Sequence, residues 1–539
     1  MALLRRLALR LAALEGLIAA LPALLAFMLA ATHDIRVPGV YMDAVNPDYL
    51  LIKAIHPSAD LAVWMLPGMF PFNRLPILGQ IYHGALPFYL GAPVYLAAGT
   101  GVVGIRLANM LFGLIVLGGA GFLLRAFRVP ALVAGLALMA LAVDPGFVFA
   151  WRTQFYITLL PTGLVFAAIA LIETHRHAPT PRVAAAAGLL TALSVYGYFI
   201  HVFSVPAVLL FAAWRWRAVP LRVSRWMLAG LVVGGSPYVL GALLMIRAEH
   251  GLQGFFTFLA ANATGLGVTS SNLSLVDRLH LGVAMLAQTV DGVGPATMLA
   301  GSAEPGMLGG VRLVLLILVP ALGMMLALLR PARLPGLAVL LGIVLGYFAL
   351  VLAFGNRLWL HHAIVLLPVL YLGLALTTGG VAQRTSRISA IMVLLSLLAA
   401  NLVDRQRLQD RLDATGGVGL SSDAILRFAE ASRADPAPTH AFFPDWGVFM
   451  SFEMITGGRI AVSTDFTPEA ARHVLCSGQD VLLALSEIGA DAARHQRLAD
   501  WTAQIDRGPP EITLWRQRDG VPVLTAARWR ATSSGCPAQ

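Results

Sequence analysis
Long apolar runs separated by short arginine-bearing turns fill the first three quarters of the chain. Stretches near 11–31, 107–124, 130–149, 157–172, 183–199, 202–214, 227–246, 310–329, 335–354, 361–379 and 388–403 read as helices. Most approach the roughly 20 apolar residues that cross a bilayer. The pattern predicts a mainly α, polytopic membrane bundle of about 11 spans over residues 1–403. Leu86–Ala98 is also apolar, but at about 13 residues with Pro93 inside it is short for a span. It reads as a helix lying in the outer interface, with Tyr89 and Tyr95 at headgroup level, and 61–72 reads the same way.

After residue 403 the pattern alternates. Ser421 and Ser422 open a helix reaching Arg433, followed by a strand at 440–443, a helix at 447–456 and a strand at 459–463. A helix at 468–475, a strand at 481–485 and a helix at 490–505 come next. Segments 511–517 and 521–527 around Arg-Asp-Gly form a hairpin. Residues 404–539 therefore predict a small α/β domain, without a phosphate-binding glycine loop or metal-ligand spacing.

Composition agrees with the membrane reading. Of 539 residues 58% are hydrophobic and only 12% charged, far below the roughly 25% charge of soluble domains, which excludes a cytosolic enzyme and a disordered chain. The net charge of +10 is carried by 37 arginines and one lysine, Lys53. Residues 1–402 hold 24 basic against 11 acidic side chains, and 403–539 hold 14 against 17. The excess belongs to the membrane part, so it reports topology rather than nucleic-acid binding. With eleven spans, Arg125/Arg128, Arg176/Arg182, Arg215/Arg217/Arg222/Arg225, Arg330/Arg333 and Arg384/Arg387 all fall in cytoplasmic loops. The first helix, behind Arg5, Arg6 and Arg10, is an uncleaved anchor with a cytoplasmic N-terminus. The loop 32–105 and the C-terminal domain are then periplasmic, on a bacterial inner membrane. Cys476 and Cys536 both lie in that domain, as a disulfide or as two unpaired thiols.

Charges near a bilayer are expensive and therefore informative. Asp43 sits about one turn beyond the first span with no local structural duty. Asn46-Pro47-Asp48 has the form of a helix start, with Asn46 as cap. A second block reads Gly79-Gln80-Ile81-Tyr82-His83-Gly84-Ala85-Leu86-Pro87-Phe88-Tyr89-Leu90, then Pro93, Gly99 and Arg106-Leu107. These two blocks resemble the polytopic GT-C glycosyltransferases. Within them they look most like the bacterial family 39 relatives of protein mannosyltransferases and lipid A aminoarabinose transferases, with their Y-x-G-x-L-P-x-Y-x-x-x-P stretch. Asp43-Ala44 departs from the Asp-Glu usual there, so a role needing both acids is not carried over.

The resemblance implies inverting sugar transfer from a polyprenyl-phosphate donor to a glycan, lipid or protein acceptor on the outer face. Asp43 would act as base or metal ligand, and a divalent cation such as Mg or Mn stays open. Lys53, Arg106 and Arg357 are the candidates for the donor phosphate, and Asp48, Tyr82, His83, Arg152, His201 and His361 for substrate contacts. His361 and His362, adjacent on a helix, are expected to point apart. Asn262-Ala-Thr and Asn272-Leu-Ser match glycosylation sequons, a pattern frequent by chance. A secondary transporter is the alternative from another class, although neither a two-fold hydropathy repeat nor paired broken helices is seen. A non-catalytic GT-C scaffold is the third reading.

Overall fold
The computed structural model describes residues 20–56, 75–217, 221–265, 273–301, 306, 308–384, 386–445, 447–489 and 492–531. Segment 61–72, Arg74, Asn272 and Cys536 lie outside them. Helix α1 (Ala20–Thr32) leads into a loop holding two 3-10 turns, Met42–Ala44 and Asp48–Leu50, and α2 (Leu51–Ile55). A short hairpin, β1 (Leu78–Gln80) and β2 (His83–Gly84), precedes α3 (Leu86–Ala98), the helix expected at the interface; its Tyr95, expected at headgroup level, is instead buried. The bundle continues with α4 (Val102–Ala126), α5 (Ala131–Ala142), α6 (Pro145–Ala150), α7 (Phe155–Thr174), α8 (Pro181–Gly197), α9 (Val205–Arg215) and α10 (Leu221–Ala248). Then come α11 (Leu252–Gly265), α12 (Leu275–Asp291), α13 (Val293–Ala300), α14 (Gly309–Leu313), α15 (Val319–Leu329), α16 (Pro335–Phe354), α17 (Leu360–Ala363), α18 (Leu366–Arg384) and α19 (Arg387–Thr415).

Among the described residues, seven helical segments are long and apolar enough to cross a membrane. The other expected spans fall on shorter helices, and two of them are interrupted. The 130–149 run breaks at Asp144, whose carboxylate caps α6 by accepting from Phe147 N at 3.0 Å. Between α8 and α9 the backbone tightens to a 3-10 turn, Phe199–Ser204. Helices α11 to α13 were not expected, because the amphipathic 275–291 stretch has too few apolar residues to register as a span. Its start is marked instead by a Ser274/Asp277 capping box.

Small residues let the helices approach. A Cβ on Gly119 would stand 2.4 Å from Gly163 O, so α4 and α7 meet backbone to backbone; Gly188 and Gly230 do the same for α8 and α10.

Helix α19 runs on past residue 403 to Thr415, and a small sheet domain follows. It adds α20 (Asp423–Ala434), β3 (Thr439–Phe442), α21 (Phe449–Thr456), β4 (Ala461–Ser463), α22 (Pro468–Cys476), β5 (Asp480–Ser486), α23 (Ala492–Ile505), β6 (Glu511–Arg516) and β7 (Pro522–Trp529). Every element follows the alternation in the sequence, and Ser422 caps α20 by accepting from Ala424 N at 3.2 Å. The strand order is β4-β3-β5-β7-β6, with β3 parallel to both neighbours and β7 antiparallel to β5 and β6. Cys476 is disulfide-bonded.

The sheet domain sits on the loop after α1. Gly39 N donates to Ser421 O at 2.8 Å, and a Cβ on Gly39 would lie 2.0 Å from Ser422 O. Arg36 pairs with Glu430, and α21 packs on both 3-10 turns of the loop. This end of the bundle also gathers the turns before α7, α9 and α18; the arginine-rich turns lie at the other.

Candidate active site
The loop after α1 is held from inside the bundle by two arginines. Arg152, between α6 and α7, is 2% exposed and donates to the carbonyls of Ala31 at 2.9 Å and His33 at 2.6 Å, and to Val37 O. The first two oxygens are left over at the C-terminal end of α1, where no further helical donor exists, and the third belongs to the loop. Arg106, near the start of α4, donates to Pro38 O at 2.6 Å and Gly39 O at 3.2 Å. Both guanidiniums were candidates for substrate or phosphate; the structure spends most of their donors on backbone, because a buried loop needs partners for its carbonyls, and leaves Arg106 Nη1 and Arg152 Nε without a hydrogen bond among the described residues.

Held in this way, the loop presents Asp43 and Asp48 differently. Asp48 is fully buried: Tyr95 hydroxyl donates to its Oδ2 at 2.7 Å, and Tyr156 lies against the same carboxyl. Burial raises its pKa to about 7. The expected helix start is corrected here, because Pro47, not Asn46, precedes the 3-10 turn and no side chain caps it. Asn46 is itself buried, with Tyr156 hydroxyl donating to its carbonyl at 2.8 Å.

Asp43 remains half-open, although burial among its neighbours still raises its pKa to about 6 against an opposing hydrogen bond from Tyr41. Its charge reaches Tyr82, Tyr156 and Tyr198.

Aromatic and imidazole rings continue from there. Tyr82 hydrogen-bonds through its carbonyl to Phe199 N at 2.8 Å, which ties the β1–β2 turn to the α8–α9 junction. Its ring lies 5.8 Å from Tyr198, and His83 stacks on Tyr198 at 6.1 Å. His83 is buried, which lowers its pKa to about 4 and keeps it neutral at pH 7. Tyr198 hydroxyl hydrogen-bonds His362 Nε2 at 3.1 Å, while Trp359 N donates to His362 Nδ1 at 2.9 Å. An accepting Nδ1 places the His362 proton on Nε2.

His361 and His362 do not point apart, as an ideal helix would require. In the four-residue α17 their ring centroids are 3.9 Å from each other. Gln154 Nε2 lies 3.0 Å from His361 Nδ1, and Thr158 hydroxyl donates to His361 O at 2.6 Å. His201, across α7, hydrogen-bonds Thr158 O through Nε2 at 2.9 Å. Arg357 ends the 3-10 turn Gly355–Arg357, with two residues between it and α17. Its Nε and Nη2 are shielded from solvent and have no hydrogen-bond partner among the described residues. Lys53, on α2, is half-buried.

The sequence reading missed Gln154, Tyr156, Thr158 and Tyr198, whose residue types are unremarkable until the fold converges them. It also passed over a buried network. Arg312 Nη2 meets Asp144 Oδ2 at 2.6 Å, Tyr371 donates to the same oxygen at 2.7 Å, and Asn401 donates to Tyr371 at 2.6 Å. A lone arginine inside the apolar run of α14 was the available signal.

Among the described residues no three His, Cys, Asp or Glu side chains converge as cation ligands. Asp48 is tied to tyrosines and Asp144 to Arg312, so neither joins Asp43 in a set of cation ligands among the described residues.

No family model and no curated protein matches the chain. Solved structures do. The structure of ArnT from Cupriavidus metallidurans bound to undecaprenyl phosphate aligns over 97% of this chain and 99% of its own, at 14% identity and a TM-score of 0.40. The mycobacterial arabinofuranosyltransferase AftD aligns over 88% of this chain and 35% of its own, at 16% identity and a TM-score of 0.39. The Archaeoglobus fulgidus oligosaccharyltransferase, in complex with Zn and sulfate, aligns over 92% and 71%, at 13% identity and a TM-score of 0.50. That last likeness bears on the fold alone: this is a membrane protein with a GT-C-like fold and a small C-terminal sheet domain.

Proposed function
We propose that the protein is a membrane glycosyltransferase that takes a sugar from a polyprenyl-phosphate donor and passes it to an acceptor hydroxyl at the end of the bundle carrying the sheet domain. The observation that carries this reading is Asp43: a half-open carboxylate with pKa raised to about 6, aimed among tyrosines where the fold converges its turns. A carboxylate titrating just below neutrality is ionised at pH 7 yet basic enough to take a proton during attack. The acceptor oxygen bonds to the anomeric carbon as the bond from that carbon to the phosphate oxygen breaks. The polyprenyl phosphate leaves with the electron pair, the acceptor proton passes to Asp43, and one displacement inverts the centre.

The leaving phosphate needs a cation. Arg357 supports that role through its two shielded, unpartnered nitrogens, since a guanidinium fork suits phosphate oxygens. Arg106 and Arg152 act one step back, fixing the loop that carries Asp43. Positive-inside bias favours a cytoplasmic arginine-rich end, hence a periplasmic site and sheet domain on an inner membrane.

The test is to incubate purified full-length protein with radiolabelled polyprenyl-phosphate sugars and a lipid extract, following release of polyprenyl phosphate. Donor consumption with label appearing in a new product is expected. A deletion strain with an unchanged envelope glycan profile, together with no donor consumed, would leave only the non-catalytic scaffold.

A further inference from the structure
At the end of the bundle away from Asp43, about 25 Å along α7 at 1.5 Å per residue, lies a cavity of about 730 Å³. Arg128, Arg176, Arg215, Arg217 and Arg333 line it, from the ends of α4, α7 and α9 and the turn before α16. One carboxylate faces them. Glu173 is buried and accepts from Arg215 Nε at 2.7 Å and Nη2 at 2.8 Å, and it also pairs with Arg176. Two of the five arginines are thereby engaged. The side chains of Arg128, Arg217 and Arg333 have neither ion pair nor hydrogen bond among the described residues.

Topology bias alone asks only for arginines in these turns; it does not ask that they converge on one concavity. The wall beneath them is apolar, formed by Phe127, Trp214, Leu337 and Leu376. A cationic mouth over an apolar wall at the membrane boundary suits an amphiphile with an anionic head.

We propose that this cavity is a binding site for a phosphate-bearing anion, taken from the headgroup of an anionic phospholipid of the surrounding leaflet. A soluble phosphate has the same recognition chemistry, and the experiment separates the two. The site is independent of the reading of Asp43 and can fail without it.

Purified full-length protein in detergent is given equimolar phosphatidylglycerol and phosphatidylcholine, and bound lipid is quantified by native mass spectrometry. Wild type is expected to retain phosphatidylglycerol preferentially. At roughly a factor of five per arginine near a charged lipid, the triple variant R128Q/R217Q/R333Q is expected to lose that preference about 100-fold. None of these side chains has an ion pair or hydrogen bond among the described residues, so folding is expected to be unaffected; should the triple variant aggregate, Arg333→Gln alone gives about a fivefold loss. Displacement of the lipid by millimolar inorganic phosphate assigns the site to the soluble anion, and no displacement assigns it to the headgroup. Equal retention of the two lipids by wild type, or a preference unchanged in the variants, overturns the proposal.

Discussion

The proposed chemistry makes the rate follow one carboxyl. Asp43 titrates at about 6 in the folded protein, against 3.8 for an unperturbed aspartate. Its ionised fraction is therefore about nine tenths at pH 7 and about one tenth at pH 5, so kcat/KM should fall roughly tenfold across that interval. An aspartate at 3.8 would remain more than nine tenths ionised at pH 5 and leave the profile flat. Replacing Asp43 by Asn removes the base and should cost about 10²–10⁴ in rate, with a residual rate that no longer follows this titration. The assay is initial-rate release of polyprenyl phosphate between pH 5 and 8 in a constant-ionic-strength buffer. Stability has a linked sign. Because the folded pKa is raised, the contribution of Asp43 to stability is fully present below about 3.8 and is lost as pH rises through about 6. Asp43→Asn should thus melt no lower than wild type at pH 8. A wild-type rate in Asp43→Asn, or a flat profile down to pH 5, would refute the assignment of this residue as base.

Three further outcomes follow from the surrounding packing. Asp48 titrates near 7 when folded, so wild-type thermal stability in detergent should decline between about pH 4 and 7, and Asp48→Asn should flatten that slope while leaving the Tyr95 contact in place. Gly39→Val drives a side chain into the Ser422 carbonyl, 2.0 Å from where its Cβ would stand; it should lower activity more than tenfold and expose the loop to limited proteolysis. Asp144→Ala leaves buried Arg312 with only the more distant Asp404, 3.8 Å away, and should cost about 3 kcal/mol, read as a lowered melting temperature, whereas Asp144→Leu with Arg312→Met should recover part of it.

Much of this architecture is legible in the chain because the bilayer imposes a simple code. Each run read as a span is mostly helix where it is described, and the strand and helix alternation after residue 403 maps onto the sheet domain element by element. The failures share a cause. The break at Asp144, the 3-10 turn at Phe199–Ser204 and helices α11 to α13 depend on polar groups satisfied by distant partners or on amphipathic faces, and an average over hydropathy sees neither. Asp43 could be singled out because it stands in a loop with no local duty. Gln154, Tyr156, Thr158 and Tyr198 could not, since each acquires its place only when α7 and the α8–α9 junction meet the loop.

The cations show most clearly where reading by residue type stops. Arg106, Arg152 and Arg357 are alike in sequence: single arginines near a span boundary at the same end, each able to receive a phosphate. Folding divides them by what the backbone lacks. The last turn of α1 and the loop behind it leave carbonyls inside the protein, each costly unless paired, and Arg152 and Arg106 are drawn in to supply donors. Arg357 faces no such demand: two of its nitrogens stay buried and unpaired, against one each on Arg106 and Arg152, and it donates to no carbonyl of the loop. A cost kept at the end of the bundle where the open carboxylate also sits is what a site awaiting an anion would show. Arg357→Gln should accordingly raise KM for the phosphosugar donor while leaving the melting temperature unchanged or higher, whereas Arg152→Gln should lower melting temperature and activity together. Were Arg357→Gln instead to destabilise the protein as Arg152→Gln does, its role would be structural and the phosphate would need another partner.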